Sequence, residues 1–154
     1  MKPLEPASCC VARGTRVRTR DGEKAVEFLR VGDEVTAVDP LSGRRVSTRV
    51  VDVRVSRREC LSLRSATVTM ECTTDHHLFD PDAQAFADAG DWALGKRSHV
   101  TEVPEDDDEP LRAVAVSSDA RYVTVLDVFD VAVEDALHTF VANGLLVGDA
   151  TRAA

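Results

Sequence analysis

Apolar and polar residues alternate with a period of two through most of the chain. The longest such stretch is "VSTRVVDVRVSRRECLSLRSATVTMEC", residues 46–72. Val46, Val50, Val53, Val55, Leu61, Leu63, Val68 and Met70 follow the pattern of half-buried strands, and the stretch predicts several β-strands in succession. Turn signals punctuate the rest. "GTRVRTRDGEKAV" predicts strand, Asp21-Gly22 turn, strand. "EFLRVGDEVTAVD" predicts a short helical or 3₁₀ piece, a Gly32-Asp33 turn and a strand, and "PLSGRR" a turn. "DPDAQAFADAGDWALGKR" is the segment with the most helix-like and loop-like character. Strands resume in "RAVAVSSDARYVTVLDVFDVAVEDALHTF". The last signal is the strongest. Phe140-Val141-Ala142 and Leu145-Leu146-Val147 flank Asn143-Gly144, the dipeptide suited to a type I′ hairpin turn, which needs positive φ at both central residues. No fixed-period repeat is evident, although the two β-rich halves could be related. The expectation is one mainly-β domain over about residues 10–149.

The 154 residues suffice for one domain with its own core, and 44% hydrophobic and 30% charged residues are ordinary values for a globular protein. No apolar run approaches the roughly 20 residues that span a bilayer. "MKPLEPASCC" has no apolar core of a signal peptide, so no export signal, no membrane association and a reducing cytoplasmic setting are expected, while a host protein could still be exported. Net charge is −8, unevenly spread. Residues 1–72 carry 14 Lys/Arg against 10 Asp/Glu, and residues 73–154 carry 5 against 17. The basic residues alternate with apolar ones, as on the solvent faces of strands, and aromatics are only 5%, which argues against nucleic-acid binding. The five acids between Pro104 and Pro110 predict a solvated or disordered loop that does not pack.

Four pieces carry candidate chemistry: Cys10 in "CVARGTRV", Thr73 and the histidines in "TTDHHLF", Asp130 and His138 in "VFDVAVEDALHTF", and the terminal "VANGLLVGD". Each has a bland reading. A cysteine before a strand is usually a small hydrophobe, and a Thr-x-x-His is usually a surface turn. Cys9, Cys10, Cys60 and Cys72 have neither zinc-knuckle spacing nor the density of a disulfide scaffold. "DHH" at residues 75–77 also occurs in metal-dependent phosphoesterases, but its β-rich flanks argue against that class.

Taken in order, these pieces resemble the Hint domains, which include inteins, bacterial intein-like domains and the autoprocessing domain of Hedgehog proteins. Cys10-Val11-Ala12-Arg13-Gly14-Thr15 resembles the family's opening motif. Val31 to Asp39 is similar to its second strand, Thr73-Thr74-Asp75-His76 to its Thr-x-x-His block, and Ala89 to Arg97 to the following segment. Phe129-Asp130-Val131 and His138 to Gly144 are similar to its last blocks. The resemblance implies an all-β horseshoe with pseudo-two-fold halves, bringing both domain ends together. It places residues 1–9 as an upstream flanking segment, 10–149 as the domain and 150–154 as a downstream tail. Cys10 would attack the carbonyl of Cys9 and turn the Cys9–Cys10 amide into a thioester. His76, or His77 through the alternative Thr74-x-x-His77 spacing, would protonate the leaving nitrogen. Thr73 would steady His76 or the oxyanion, Asp130 would handle protons at Cys10, and His138 would serve the C-terminal step.

The family's terminal His-Asn is replaced here by Gly148-Asp149, followed by Ala150. Cleavage at Asp149–Ala150 and full splicing are therefore expected to be impaired, while N-terminal thioester formation stays chemically intact. Thr151 lies one residue too far to act as the usual acceptor. No cofactor is expected. The expected partners are the flanking polypeptide in cis and water or a small thiol, acting on a monomer. Adventitious zinc at Cys10, His76 and Cys72 would only inhibit. The alternative is a Hint-like interaction or linker module that has lost its chemistry.

Overall fold

The structure, a computed structural model, describes residues 10–118 and 124–151. Cys9 and the rest of the upstream segment lie outside the described residues. The chain begins with β1 (Cys10–Ala12), followed by the hairpin β2 (Arg16–Thr19) and β3 (Gly22–Ala25). This hairpin turns at Arg20-Asp21, one residue before the predicted position, and Gly22 opens β3 with φ +121°. A 3₁₀ turn (Val26–Phe28) leads to β4 (Glu34–Val38). Then comes β5 (Arg45–Arg64), a single strand of 20 residues where the alternation predicted several. β5 is continuous because it serves several partners in succession. Its start, Arg45 to Arg49, pairs with β4, most of the remainder pairs with a second long strand, β12 (Thr124–Val133), and β6 (Thr69–Cys72) folds back on its end.

The segment expected to be helix-like and loop-like, residues 80–97, holds the turn that joins β7 (His77–Asp80) to β8 (Ala85–Asp88), the short β8 itself, and one short helix, α1 (Ala89–Ala93). Only β8 departs from the expectation, because the alternation at Phe86 and Asp88 is too short to outweigh the small polar residues around it. β9 (His99–Glu102), β10 (Arg112–Ala115) and β11 (Ser117–Ser118) follow, then β12 (Thr124–Val133) and the closing hairpin β13 (Thr139–Ala142) and β14 (Leu145–Gly148). Asn143 and Gly144 have φ +50° and +77°, the left-handed pair that a type I′ turn requires. All described pairings are antiparallel, and all the strands join into one sheet. The main core gathers side chains such as Val11, Val17, Met70, Leu78, Phe129 and Phe140. Among the described residues, no helix is long and apolar enough to cross a membrane.

The acidic loop departs from expectation in one respect. Its acid side chains are exposed, but its backbone is anchored. The Arg45 side chain, only 5% exposed, donates to the carbonyls of Pro104, Asp107 and Glu109 at 3.1, 3.3 and 2.8 Å. A guanidinium offers five donors, enough to satisfy several loop carbonyls at once. The partners are about sixty residues apart in sequence, so the charge run alone gave no sign of the clamp.

Candidate active site

Cys10 is tied down on both sides by its strand neighbours. In β1 it stands directly opposite Asp130 of β12. Directly opposed residues of an antiparallel pair project from the same face, with Cβ atoms about 5 Å apart. Asp130 is in turn opposite Arg54 of β5, and Leu126 opposite Arg58. Cys10, Asp130, Arg54, Val128, Leu126, Arg58 and Cys60 therefore share one face. Cys10, Cys60 and Val128 pack together there, with Leu126 against them. Cys72, by contrast, is paired with Val11 and belongs to the main core. It projects from the opposite face, so the zinc set of Cys10, His76 and Cys72 is not assembled. No group of three or more His, Cys, Asp or Glu among the described residues is arranged to hold a metal ion.

The Thr-x-x-His turn closes over Cys10. The Cys10 N–H donates to Thr73 Oγ1 at 3.3 Å, and the Thr73 N–H donates to the Cys10 carbonyl at 3.1 Å. The Thr73 hydroxyl also lies 3.4 Å from that carbonyl. The turn closes with the His76 N–H on the Thr73 carbonyl at 3.1 Å. His76 is fully buried. His77 is the first residue of β7, and its Nε2 pairs with Asp88 Oδ1 at 3.1 Å. The two histidines thus have separate surroundings, and His77 is committed to the β7–β8 hairpin.

Two residues not singled out in the sequence take part. Arg58 Nη1 lies 3.9 Å from Cys10 Sγ, and Nη2 donates to Asp75 Oδ2 at 3.1 Å. Burial works against a charged Asp75, but hydrogen bonds from Thr73 and Arg58 outweigh it and hold this carboxyl below its ordinary range. Burial first, and the Asp130 charge second, push the Cys10 thiol up to about 12, with Arg58 pulling the other way. Burial likewise raises the Asp130 carboxyl to about 6, opposed by Arg54 and reinforced by Asp52. Asp130 Oδ1 is buried and has no hydrogen-bond partner among the described residues.

The second newcomer is Thr151. Asp149, fully buried, accepts the Val133 N–H on Oδ2 at 2.8 Å. Its Oδ1 accepts the Thr151 N–H and O–H at 2.9 and 2.8 Å. His138 Nδ1 lies 2.8 Å from the Thr151 hydroxyl and 3.4 Å from Asp149 Oδ2. His138 adopts φ +52°, costly for a residue with a Cβ, and its carbonyl accepts the Asp149 N–H at 2.8 Å. The turn at Asp149 folds the Thr151 hydroxyl back onto the carboxylate, a contact that spacing along the chain does not reveal.

The two clusters meet on β12. Cys10 pairs with Asp130, and the Ala150 N–H donates to the carbonyl of the next residue, Val131, at 2.9 Å. Cys10 and the peptide bond that follows Asp149 thus lie beside consecutive residues of one strand.

A raised carboxyl has a measurable consequence. Folded Asp130 binds its proton more tightly than the unfolded chain does. Its stabilising contribution is therefore fully present below about pH 4 and is lost as the pH rises through about 6. Asp130→Asn is expected to remove that slope and to raise stability at pH 7 by roughly 2 kcal/mol, since one pKa unit corresponds to about 1.4 kcal/mol. Urea unfolding at pH 4, 5, 6 and 7 reads both effects. An unchanged slope would mean that Asp130 titrates normally.

No protein-family model matches the chain, and no curated protein matches it in sequence. Solved structures do match. A variant of the Ssp DnaB mini-intein superposes with a TM-score of 0.77 at 17% identity, covering 98% of this chain and all of that one. The DnaB intein from Synechocystis gives 0.72 at 18% identity, covering 91% and 97%. The bacterial intein-like domain from Clostridium thermocellum gives 0.70 at 22% identity, covering 91% and 98%. Near-complete mutual coverage, with an all-β sheet that brings its two ends together on one strand, identifies the architecture: the chain has the Hint fold of the inteins and bacterial intein-like domains.

Proposed function

We propose that this chain is a self-processing domain acting once, in cis, on the polypeptide around it. Cys10 Sγ attacks the carbonyl carbon of Cys9, the carbon–nitrogen bond breaks, and the upstream segment is left as a thioester on Cys10. Water or a small thiol then releases it. Asp130 takes the thiol proton, since a carboxylate near pKa 6 is largely ionised at neutral pH and faces the sulfur across the strand pair. Thr73 holds both backbone groups of Cys10, the scissile nitrogen among them, and its hydroxyl steadies the oxyanion that develops on the Cys9 carbonyl. His76, at the end of the same turn, returns a proton to the departing nitrogen. The observation that supports this reading is the convergence on β12, where Cys10 stands opposite Asp130 and the Ala150 N–H bonds to the next residue, Val131. A domain that cuts itself out of a chain needs its two junctions in one place.

The C-terminal step is changed. Gly148-Asp149 puts a carboxylate where an amide would cyclise, and Ala150 carries no acceptor group. Cleavage is therefore confined to the N-terminal junction. A second reading, a Hint fold retained only as an interaction or linker module, is favoured by one fact: Cys10 is fully buried and its thiol is raised to about 12.

One experiment separates the two. A folded protein is fused upstream of Cys9, and the fusion is incubated at neutral pH with and without dithiothreitol. Self-processing requires thiol-accelerated release of the upstream protein with a new terminus at Cys10. A fusion that stays intact under both conditions supports the interaction module.

A further inference from the structure

The face that carries Cys10 holds a charge that the chemistry above leaves without a task. Three neighbouring arginines of β5 have different assignments. Arg54 stands opposite Asp130 and is tied to Asp52 at 2.9 Å. Arg57, on the other face, reaches Asp127 at 2.9 Å. Arg58 alone turns toward the sulfur, with one nitrogen 3.9 Å from Cys10 Sγ and the other on Asp75.

A purely structural guanidinium would need only the second contact. Bridging β5 to the Thr73–His76 turn through Asp75 is ordinary packing. The first contact is different in kind. A thiol is a weak acceptor, whereas a thiolate is a strong one, and hydrogen bonds to ionised groups are roughly twice as strong as neutral ones. Arginine keeps its charge at every accessible pH, so it is always ready to meet an anion. Its side chain is only 28% exposed, which shortens the reach of solvent screening. Asp75 is itself fixed by Thr73, so the guanidinium is held from behind by the same turn that holds the Cys10 backbone.

We propose that Arg58 is the counter-ion of the Cys10 thiolate, aimed at the sulfur by Asp75. The pairing itself rests on geometry, and its use in acyl transfer rests on the self-processing reading. In the step it serves, the Cys10 thiol gives its proton to Asp130. The sulfur electron pair forms a bond to the Cys9 carbonyl carbon, the bond from that carbon to the Cys10 nitrogen breaks, and the nitrogen receives a proton from His76. Arg58 neither gains nor loses a proton. The charges around the sulfur are then balanced: Asp130 from β12 and Asp75 from the turn oppose the thiolate, Arg58 from β5 favours it, and Arg54 offsets Asp130.

The test separates the pairing from the activity. In the full chain with Cys9, Cys60 and Cys72 replaced by alanine, Cys10 is the single cysteine, and a ¹³C label at its Cβ reports thiolate between pH 9 and 12, with circular dichroism checking that the fold persists there. Arg58→Gln should lower the thiolate population at a given pH about tenfold, the loss of a charge-assisted contact, and Arg58→Lys should restore it to within about threefold. Superimposable titrations of the chain with Arg58 and with Arg58→Gln overturn the proposal, because a merely structural arginine would not move them. Release of a fused upstream protein is then measured in the chain with its cysteines restored. Arg58→Gln should slow it about fivefold, less than the thiolate loss because a more basic thiolate is also a better nucleophile, and Arg58→Lys should recover it. A shifted titration in a chain that never releases its upstream partner upholds the counter-ion and overturns self-processing.

Discussion

Alanine at position 10 is expected to end thiol-dependent release of an upstream protein completely, with no residual rate above that of the bare peptide bond. The expectation follows from what surrounds the sulfur. Thr73 Oγ1 is engaged with the Cys10 N–H and lies against its carbonyl, so it supports the reacting bond and does not attack it. Cys72 projects from the opposite face. Cys60 packs against Cys10 but stands opposite Thr124, with no carboxylate across the strand pair to take its proton. Among the described residues near the sulfur, no second nucleophile is placed to take over. The fold should survive, because alanine fits the small apolar pocket of Cys60 and Val128 at a cost of about 1 kcal/mol for the lost sulfur contacts. Serine at the same position is the sharper comparison. It keeps the shape but offers a hydroxyl that is far harder to ionise, and release should fall by about 100-fold or more. Release from the alanine variant at the rate of the unsubstituted chain would remove Cys10 from the mechanism altogether.

What could be read from the sequence is what local pattern encodes. Asn143-Gly144 dictated its turn because few other residue pairs accept two positive φ angles. The Thr-x-x-His spacing is itself a turn, closed by the His76 N–H on Thr73, so the resemblance could carry it intact. The alternation in β5 gave the strand but not its partner. Arg58 became visible only when the register with β12 placed it on the face of Cys10, and that register is set by residues some seventy positions away. Arg45 illustrates the same limit. A charged residue at a strand start gave no hint that it would be buried beneath an acidic loop and bonded to its carbonyls. Counting along the chain does not show the contacts of Thr151, because the carboxylate of Asp149 bends that chain through hydrogen bonds to residue 151. In each case the missing information was a long-range pairing or a side chain that reshapes its own backbone.

Asparagine at position 149 is expected to switch on cleavage after that residue, from undetectable to readily measured within a day at neutral pH. In the present chain the Asp149 carboxylate is surrounded by donors: the N–H of Val133, the N–H and hydroxyl of Thr151, and His138 beside them. These contacts hold the group against the end of β14, with its own carbonyl–nitrogen bond anchored through the Ala150 N–H to Val131. What is wrong is the chemistry of the attacking atom. A carboxylate oxygen attacking that carbonyl gives a strained anhydride that reverts. An amide nitrogen attacking the same carbon gives a stable five-membered imide and expels the amine of Ala150. With its oxygen kept on the Val133 N–H, the new amide nitrogen faces the Thr151 hydroxyl, with His138 Nδ1 near enough to that hydroxyl to draw off a proton. The substitution leaves the Thr151 N–H without its acceptor, a loss of roughly 1 kcal/mol that the fold can absorb. Gly148→His added to Asp149→Asn should accelerate the step further by placing an imidazole beside the bond. With a folded protein fused after residue 154, intact mass spectrometry would find the released domain one water lighter than its hydrolysed form, the mark of the imide. Identical, uncleaved fusions for the original chain and both variants would show that the junction does not lie at Asp149–Ala150.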